Sequence, residues 1–72
     1  MTNDEVKKAF INEEPVIYAL PNSEPMKCDR IHALVYKRFD DGKIHMSVQV
    51  QDSRQTVYNT MPEYIREVEN DI

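Results

Sequence analysis

The chain has 72 residues and a net charge of -4, and 40% of its residues are aliphatic, aromatic or cysteine. A domain of this size buries only about 60% of the surface that its unfolded chain exposes, so we predict one domain over residues 1–72, with a small core and no pocket for a small molecule. The negative charge disfavours nucleic-acid partners, because affinity for a phosphate backbone comes largely from Lys and Arg.

Thr2 and Glu5 match the capping-box pattern at the start of a helix, in which each side chain accepts a hydrogen bond from the other residue's backbone N–H. An apolar stripe follows at helical spacing, formed by Val6, Ala9 and Phe10. Pro15 disfavours helical geometry in the residue before it. We therefore predict a helix over about residues 3–13, with the stripe packed on a sheet.

The remainder of the chain predicts four strands. The first is an apolar run at 16–20, the second and third are alternating runs at 27–39 and 43–51, and the fourth is a short run at 56–59. A second capping-box pattern at 60–63 predicts a short helix or turn over 61–68. The tail from Glu69 to Ile72 is expected to fray.

Asp41 and Gly42 form the dipeptide that most strongly indicates a two-residue hairpin turn. With this turn, Val35 lies opposite Val48, and His45 lies opposite Arg38. By the same reasoning, a turn at 53–54 places Val57 opposite Val50 and Tyr58 opposite Gln49. The predicted core face then carries Ile31, Ala33, Val35, Phe39, Ile44, Met46, Val48 and Val50.

These elements predict an α+β fold, with the N-terminal helix packed on a twisted four-stranded antiparallel meander. Strands longer than the mean of about 5 to 6 residues in so small a domain tend to bend or coil. Closure of the meander into an SH3-like small barrel is therefore one alternative. Such barrels host many unrelated functions, so the fold by itself predicts none.

The segments at 9–10, 15–18 and 28–38, together with Gly42-Lys43 and the strand end at 48–52, resemble short uncharacterised proteins encoded in bacterial genomes and their prophage-like elements. The resemblance implies a small β-rich domain preceded by a helix. It implies no activity, and no functional residue is transferred from it.

The residues that most often form catalytic or metal sites are few and lie far apart in the predicted hairpin. His32 and His45 are on the order of 20 Å apart along it, and Cys28 lies about 13 Å from His32. Since zinc binds its ligands at about 2 Å, we predict no metal site, no cofactor and no catalytic residue, and therefore not an enzyme. Because Cys28 is the only cysteine, no internal disulfide can form, which favours the cytoplasm. No apolar run approaches the roughly 20 residues of a membrane span.

The face opposite the predicted core carries Leu34, Tyr36 and Tyr58 with Arg38 among them. Tyr and Arg are enriched at binding interfaces. We therefore predict a protein-interaction or self-association module with these residues as its contact surface and a protein partner or a second copy as its ligand. The alternative in which other segments cover this face stays open.

A small nucleic-acid-binding barrel is the alternative function. In that case Tyr36 and Tyr58 stack on bases, and Lys37, Arg38 and Lys43 contact phosphates. The acidic net charge makes this hypothesis the less favoured one.

Overall fold

The computed structural model describes residues 1–68 and, over that range, contains one α-helix, one short 3₁₀ helix and six strands. The fold is of the α+β class, as predicted. The tail from Glu69 to Ile72, which was expected to fray, lies outside the described residues. In chain order the elements are α1 (Asn3–Ile11), β1 (Val16–Tyr18), β2 (Met26–Cys28), β3 (Arg30–Arg38), β4 (Ile44–Gln51), β5 (Val57–Thr60), the 3₁₀ helix (Pro62–Tyr64) and β6 (Ile65–Glu67).

Helix α1 begins with the predicted capping box. The backbone N–H of Glu5 donates to Thr2 Oγ1 at 3.2 Å, and the N–H of Thr2 donates to Glu5 Oε1 at 2.9 Å. The hydrogen bond from the Thr2 backbone is the main reason that the pKa of Glu5 lies below its ordinary value. Val6 and Ala9 are buried, but Phe10, which was predicted to share their face, is 37% exposed.

The C-terminal end of α1 comes earlier than predicted because a Schellman motif closes the helix before Pro15 can do so. Glu13 has a left-handed backbone, with φ of +55°. The N–H of Glu14 donates to the Ala9 carbonyl at 3.0 Å, and the N–H of Glu13 donates to the Phe10 carbonyl at 3.3 Å. These two bonds satisfy carbonyls that the helix end would otherwise leave free.

The strands form two antiparallel three-stranded sheets, with the orders β2-β1-β6 and β3-β4-β5. Only Asp29 separates β2 from β3, and its N–H donates to the Gln51 carbonyl at 2.9 Å. The chain therefore passes from one sheet to the other at this residue, as strands do at the corners of packed sheets. The predicted continuous strand over 27–39 and the single four-stranded meander are wrong. Within residues 1–68 neither sheet closes on itself.

The segment predicted as a helix or turn over 61–68 is a single 3₁₀ turn followed by a strand. β6 returns to pair with β1, where Ile65 lies opposite Tyr18. The amino nitrogen of Met1 donates to the carbonyl oxygens of Ile65 at 2.7 Å and Pro62 at 3.2 Å. The start of the described chain is thus held against its last strand.

The hairpin between β3 and β4 has a three-residue loop, Asp40 to Gly42, and not the predicted two-residue turn. The N–H of Gly42 donates to the Phe39 carbonyl and the N–H of Phe39 donates to the Lys43 carbonyl, both at 2.9 Å. Gly42 has φ of +80°. This is a type I turn followed by a left-handed bulge residue, a common way to close a hairpin.

The extra loop residue shifts the register by one and exchanges the two faces of β3. Leu34 lies opposite Val48 and Tyr36 lies opposite Met46. The predicted Val35–Val48 pairing is therefore wrong, and His45 lies opposite Lys37 instead of Arg38. The predicted core residues Ala33 and Val35 consequently lie on the other face. An irregularity between Ile31 and Ala33 restores Ile31 to the core face, where it is buried.

The hairpin between β4 and β5 repeats this loop geometry. The N–H of Gln55 donates to the Asp52 carbonyl at 3.0 Å, the N–H of Asp52 donates to the Thr56 carbonyl at 3.1 Å, and Gln55 has φ of +68°. Tyr58 therefore lies opposite Val50, and the predicted pairing of Val57 with Val50 is wrong.

The core lies between α1 and the two sheets, and all three contribute buried side chains to it. Its buried apolar members are Val6, Ala9, Val16, Cys28, Ile31, Met46, Val48, Val50 and Ile65. Of the residues predicted for the core, Phe39 and Ile44 are instead among the exposed large hydrophobic side chains.

Candidate interaction surface

The far end of the β3–β4 hairpin is the surface with the clearest capacity to bind a partner. Every residue from Tyr36 to Ile44 is exposed, and we call this segment the hairpin tip. Three large apolar side chains of the tip are about half exposed: Tyr36 at 53%, Phe39 at 50% and Ile44 at 58%. Such side chains clustered at one end of a small protein are typical of interaction sites.

One face of the tip carries Tyr36, Arg38 and Ile44. Arg38 lies directly opposite Ile44 across the hairpin, and Tyr36 lies one position further along the same face. The ammonium nitrogen of Lys7, on α1, lies 5.7 Å from the centre of the Tyr36 ring. This cation–π contact places Tyr36 at the boundary between the helix and the tip.

The other side of the tip is organised by an aromatic stack. The rings of Phe39 and His45 have centroids 4.3 Å apart and an interplanar angle of 22°. This stacking holds the Phe39 ring in place while half of the residue stays in contact with solvent. A preordered aromatic side chain loses little conformational entropy when it binds.

The tip carries three cations, Lys37, Arg38 and Lys43, and two carboxylates, Asp40 and Asp41. Asp41 serves the turn, because its Oδ1 accepts the N–H of Lys43 at 2.9 Å. The tip is thus slightly basic on a chain whose net charge is -4. This charge pattern is complementary to an apolar surface that has carboxylates at its rim.

The structure does not bring the four predicted contact residues together. Tyr36 and Arg38 lie on the exposed tip, but Leu34 and Tyr58 are partly buried against the core. The Tyr58 ring lies 6.0 Å from that of Tyr18. Tyr36 and Tyr58 pair with positions four residues apart on β4, a separation of about 13 Å along the strand. The four residues therefore do not form one exposed patch, and their role as partner contacts stays a prediction.

Tyr58 is further held by the loop before β5. Its hydroxyl donates to Asp52 Oδ2 at 3.2 Å, while Asp52 Oδ1 accepts the N–H groups of Arg54 at 2.9 Å and Thr56 at 3.0 Å. Burial is the largest single influence on the pKa of Asp52 and raises it. The hydrogen bonds from Thr56, Arg54 and Tyr58 outweigh burial, so the net pKa lies below its ordinary value. The hydrogen bond to Asp52 is in turn the main cause of the raised pKa of Tyr58.

The residues considered for catalysis or metal binding lie in unrelated environments. His32 is exposed, whereas Cys28 is fully buried in the core. Burial, followed by the charges of Asp52 and Asp29, raises the pKa of the Cys28 thiol, which therefore stays protonated and unreactive at neutral pH. In the part of the chain that the structure describes, no three His, Cys, Asp or Glu side chains are grouped so as to hold a metal ion.

Surface cavities lie beside the last strand and the 3₁₀ helix. One, of about 590 Å³, lies between α1 and β6, with Glu5, Ile17 and Arg66 in its wall. Another, of about 300 Å³, lies between β4 and the 3₁₀ helix and includes His45 and Pro62. Their walls include exposed charged residues, and the absence of a small-molecule site stays a prediction. Among residues 1–68 there is no helix with both the length and the apolar character needed to cross a membrane.

Comparison with known proteins adds no relative: no protein-family model matches the chain, and neither a curated protein nor a solved structure is significantly similar to it. The candidate surface is therefore inferred from its geometry alone. Sequence reasoning found Tyr36 and Arg38 but missed Phe39 and Ile44. Both residues stand within two positions of the loop at 40–42, and this closeness to the hairpin end was the signal that would have placed them at an exposed tip.

Proposed function

We propose that the chain is a protein-interaction module that binds its partner through the hairpin tip. The observation that carries this proposal is the half exposure of Tyr36, Phe39 and Ile44 within one uninterrupted exposed segment. A few such anchors supply most of the binding energy of a protein interface. We propose a binding role and not a catalytic one.

The expected partner surface is a shallow apolar depression with carboxylates at its rim. The apolar centre would accept Tyr36 and Ile44, and a carboxylate at the rim would pair with Arg38. Arg38 is well suited to this role because its guanidinium forms two parallel hydrogen bonds with a carboxylate. An interface of this size belongs to the weak or transient class, so we expect a micromolar dissociation constant.

We also propose that the two sheets form a partly open SH3-like barrel. Three features support this finer description: the chain bends at Asp29 from one sheet into the other, a single 3₁₀ turn precedes the last strand, and that strand returns to pair with β1. The lone cysteine supports a reducing compartment, and we propose the cytoplasm.

The test also distinguishes two other classes of ligand. A second copy of the chain would present the same tip, and single-stranded nucleic acid would meet Lys37, Arg38 and Lys43 beside exposed aromatic rings. Nucleic acid is less favoured because Tyr58 is held by Asp52 and Tyr18, which leaves Tyr36 without its predicted stacking partner.

The test compares two exposed isoleucines. Ile44→Ala removes an anchor of the tip, while Ile11→Ala removes an even more exposed isoleucine, 75% accessible, at the end of α1. Each variant is used to capture proteins from the cells that encode the chain, and the captured candidate is then purified and titrated by calorimetry. We expect Ile44→Ala to weaken binding at least tenfold and Ile11→Ala to leave it within twofold.

The result would contradict the proposal if both variants bound the partner equally well. Light scattering of the purified chain tests self-association: a dimer that Ile44→Ala dissociates would identify a second copy as the ligand. A salt-sensitive gel shift with single-stranded RNA or DNA, lost in Arg38→Ala, would establish the nucleic-acid alternative.

A further inference from the structure

Strand β4 is only partly covered along its outer edge. β5 pairs with β4 from Val48 to Gln51, and the chain then turns away at Met61 into the 3₁₀ helix. Within the described residues, no strand lies beside positions 44–47 on this side. We call this vacant position, in line with β5, the open lane.

The open lane is edged by backbone groups that point into it. In an antiparallel hairpin, every second cross-strand pair of residues is joined by backbone hydrogen bonds, and the Phe39–Lys43 bond fixes which pairs these are. The N–H and C=O groups of Lys37 and His45 therefore face each other across the hairpin. Those of Ile44 and Met46 point away from β3. The same alternation makes Val48 bond to β5, as its pairing with Thr60 requires. Ile44 and Met46 thus offer donors and acceptors for which the described residues provide no strand partner.

A cavity of about 300 Å³ lies at the open lane, and its wall includes Ile44, His45 and Met46 of β4 together with Met61 and Pro62. The cavity and the unpaired edge of β4 therefore coincide.

We propose that the open lane takes a short extended segment of a partner protein, which adds to β4 as a continuation of β5. An extended backbone is the group that matches alternating N–H and C=O groups along a strand edge. Two to three residues would suffice to pair with Ile44 and Met46. The proposal rests on the proposed function, since it describes how a protein partner of the adjacent hairpin tip is held.

This edge is favoured over the outer edge of β6, where the carbonyl of Ile65 already accepts the Met1 nitrogen and the N–H of Ile65 donates to Pro62. It is also favoured over the outer edge of β5, because the cavity lies beside β4.

The experiment uses phage-displayed random 12-residue peptides selected on the purified chain, and the best peptide is synthesised and titrated. Amide hydrogen exchange is measured by NMR on the unsubstituted chain. Peptide binding should slow exchange at Ile44 and Met46 at least tenfold and leave exchange at Leu34, Tyr36 and Arg38, which point outward on the opposite edge, unchanged.

Two variants of Ile44 provide a matched pair. Ile44→Pro and Ile44→Ala both remove the side chain, but only proline also removes the N–H that points into the open lane, and proline is tolerated where the N–H is not bonded to a neighbouring strand. Ile44→Pro should bind the peptide roughly three- to tenfold more weakly than Ile44→Ala does, as expected for the loss of one hydrogen bond. The exchange measurement needs no variant and decides the matter if a proline variant fails to fold.

Protection at Leu34, Tyr36 and Arg38 in place of Ile44 and Met46, or a selection that yields no peptide with the expected footprint, would overturn the proposal. Protection of Ile44 and Met46 that grows with protein concentration alone would replace the partner by a second copy. The proposed function is tested separately, because Ile44→Ala keeps the backbone N–H. If that variant loses its partner while the amides of Ile44 and Met46 stay unprotected, the tip is retained and the open lane is rejected.

Discussion

Replacing Thr60 with valine should stabilise the protein. Thr60 is 8% exposed and lies opposite Val48 in the core, and its hydroxyl oxygen has no hydrogen-bond partner among the described residues. Burying an unpaired hydroxyl costs about 1 to 3 kcal/mol. Valine keeps the branched shape and replaces the oxygen with a methyl group, so we expect the free energy of unfolding to rise by about 1 to 2 kcal/mol.

Urea unfolding followed by circular dichroism measures this change, and thermal melts provide an independent check. For a domain of this size each kcal/mol corresponds to about 4 to 8 °C in the melting temperature. Thr56→Val is the matched control, because Thr56 is exposed in the loop before β5, and its stability should stay within about 0.5 kcal/mol of the original chain. Thr60→Ser keeps the hydroxyl and removes a buried methyl, and it should be destabilising by about 1 kcal/mol.

A Thr60→Val variant that is less stable than the original chain by 1 kcal/mol or more would refute this reasoning. That result would show that the Thr60 hydroxyl is satisfied, for example by an ordered water molecule, and that its environment is polar.

Three further changes test the loops and the core. Gln55→Gly should raise the free energy of unfolding in urea by about 0.5 to 1 kcal/mol because it relieves a left-handed backbone, whereas Ser53→Gly in the same loop should not stabilise. The lowered pKa of Asp52 means that its carboxylate stabilises the fold above the ordinary value of 3.8, and that this stabilisation is lost as the pH falls through the folded-state pKa. Asp52→Asn should therefore lose less stability than the original chain when the pH is lowered from 6. Parallel curves of unfolding free energy against pH for the two chains would contradict this. The buried thiol of Cys28, whose pKa burial raises, should react with iodoacetamide at pH 8 at least about tenfold more slowly than in urea, and equal rates would show that the core is open.

Features set by neighbouring residues were predictable from the sequence. The cap of α1 depends on Thr2 and Glu5, three positions apart, and the structure has both of its hydrogen bonds. Local signals of this kind do not depend on the tertiary fold. The α+β class followed in the same way, because the helical stripe and the alternating strands have different periods.

The register of the central hairpin was harder to predict because the sequence Asp40-Asp41-Gly42 suits two different loops. Alternation could not decide between them, since the three consecutive residues Ala33, Leu34 and Val35 are apolar and either face of β3 is compatible with a core. A shift of one residue sends every side chain of a strand to the opposite face. The error therefore moved Leu34 out of the core and Phe39 into it.

The candidate surface was predictable only in part for the same reason. Tyr36 and Arg38 were chosen for their residue types, and both lie on the exposed tip. Ile44 was assigned to the core, although it lies beyond the end of the packed region. The pairing of β6 with β1 was missed because it joins segments about 50 positions apart, and a three-residue strand has no sequence pattern of its own.

The pairing of β1 with β6 has a consequence for how the molecule is made. The hairpins around β4 and the pairing of β1 with β2 connect segments that are close in the sequence and are able to form early, whereas the pairing of β1 with β6 joins segments about 50 positions apart. During synthesis, the sheet that contains β1 is therefore completed only after β6 has left the ribosome. Among the described residues, Ile65 is the last large hydrophobic side chain that is fully buried in the core, so a translation product that stops before this residue would expose the centre of the protein to proteases.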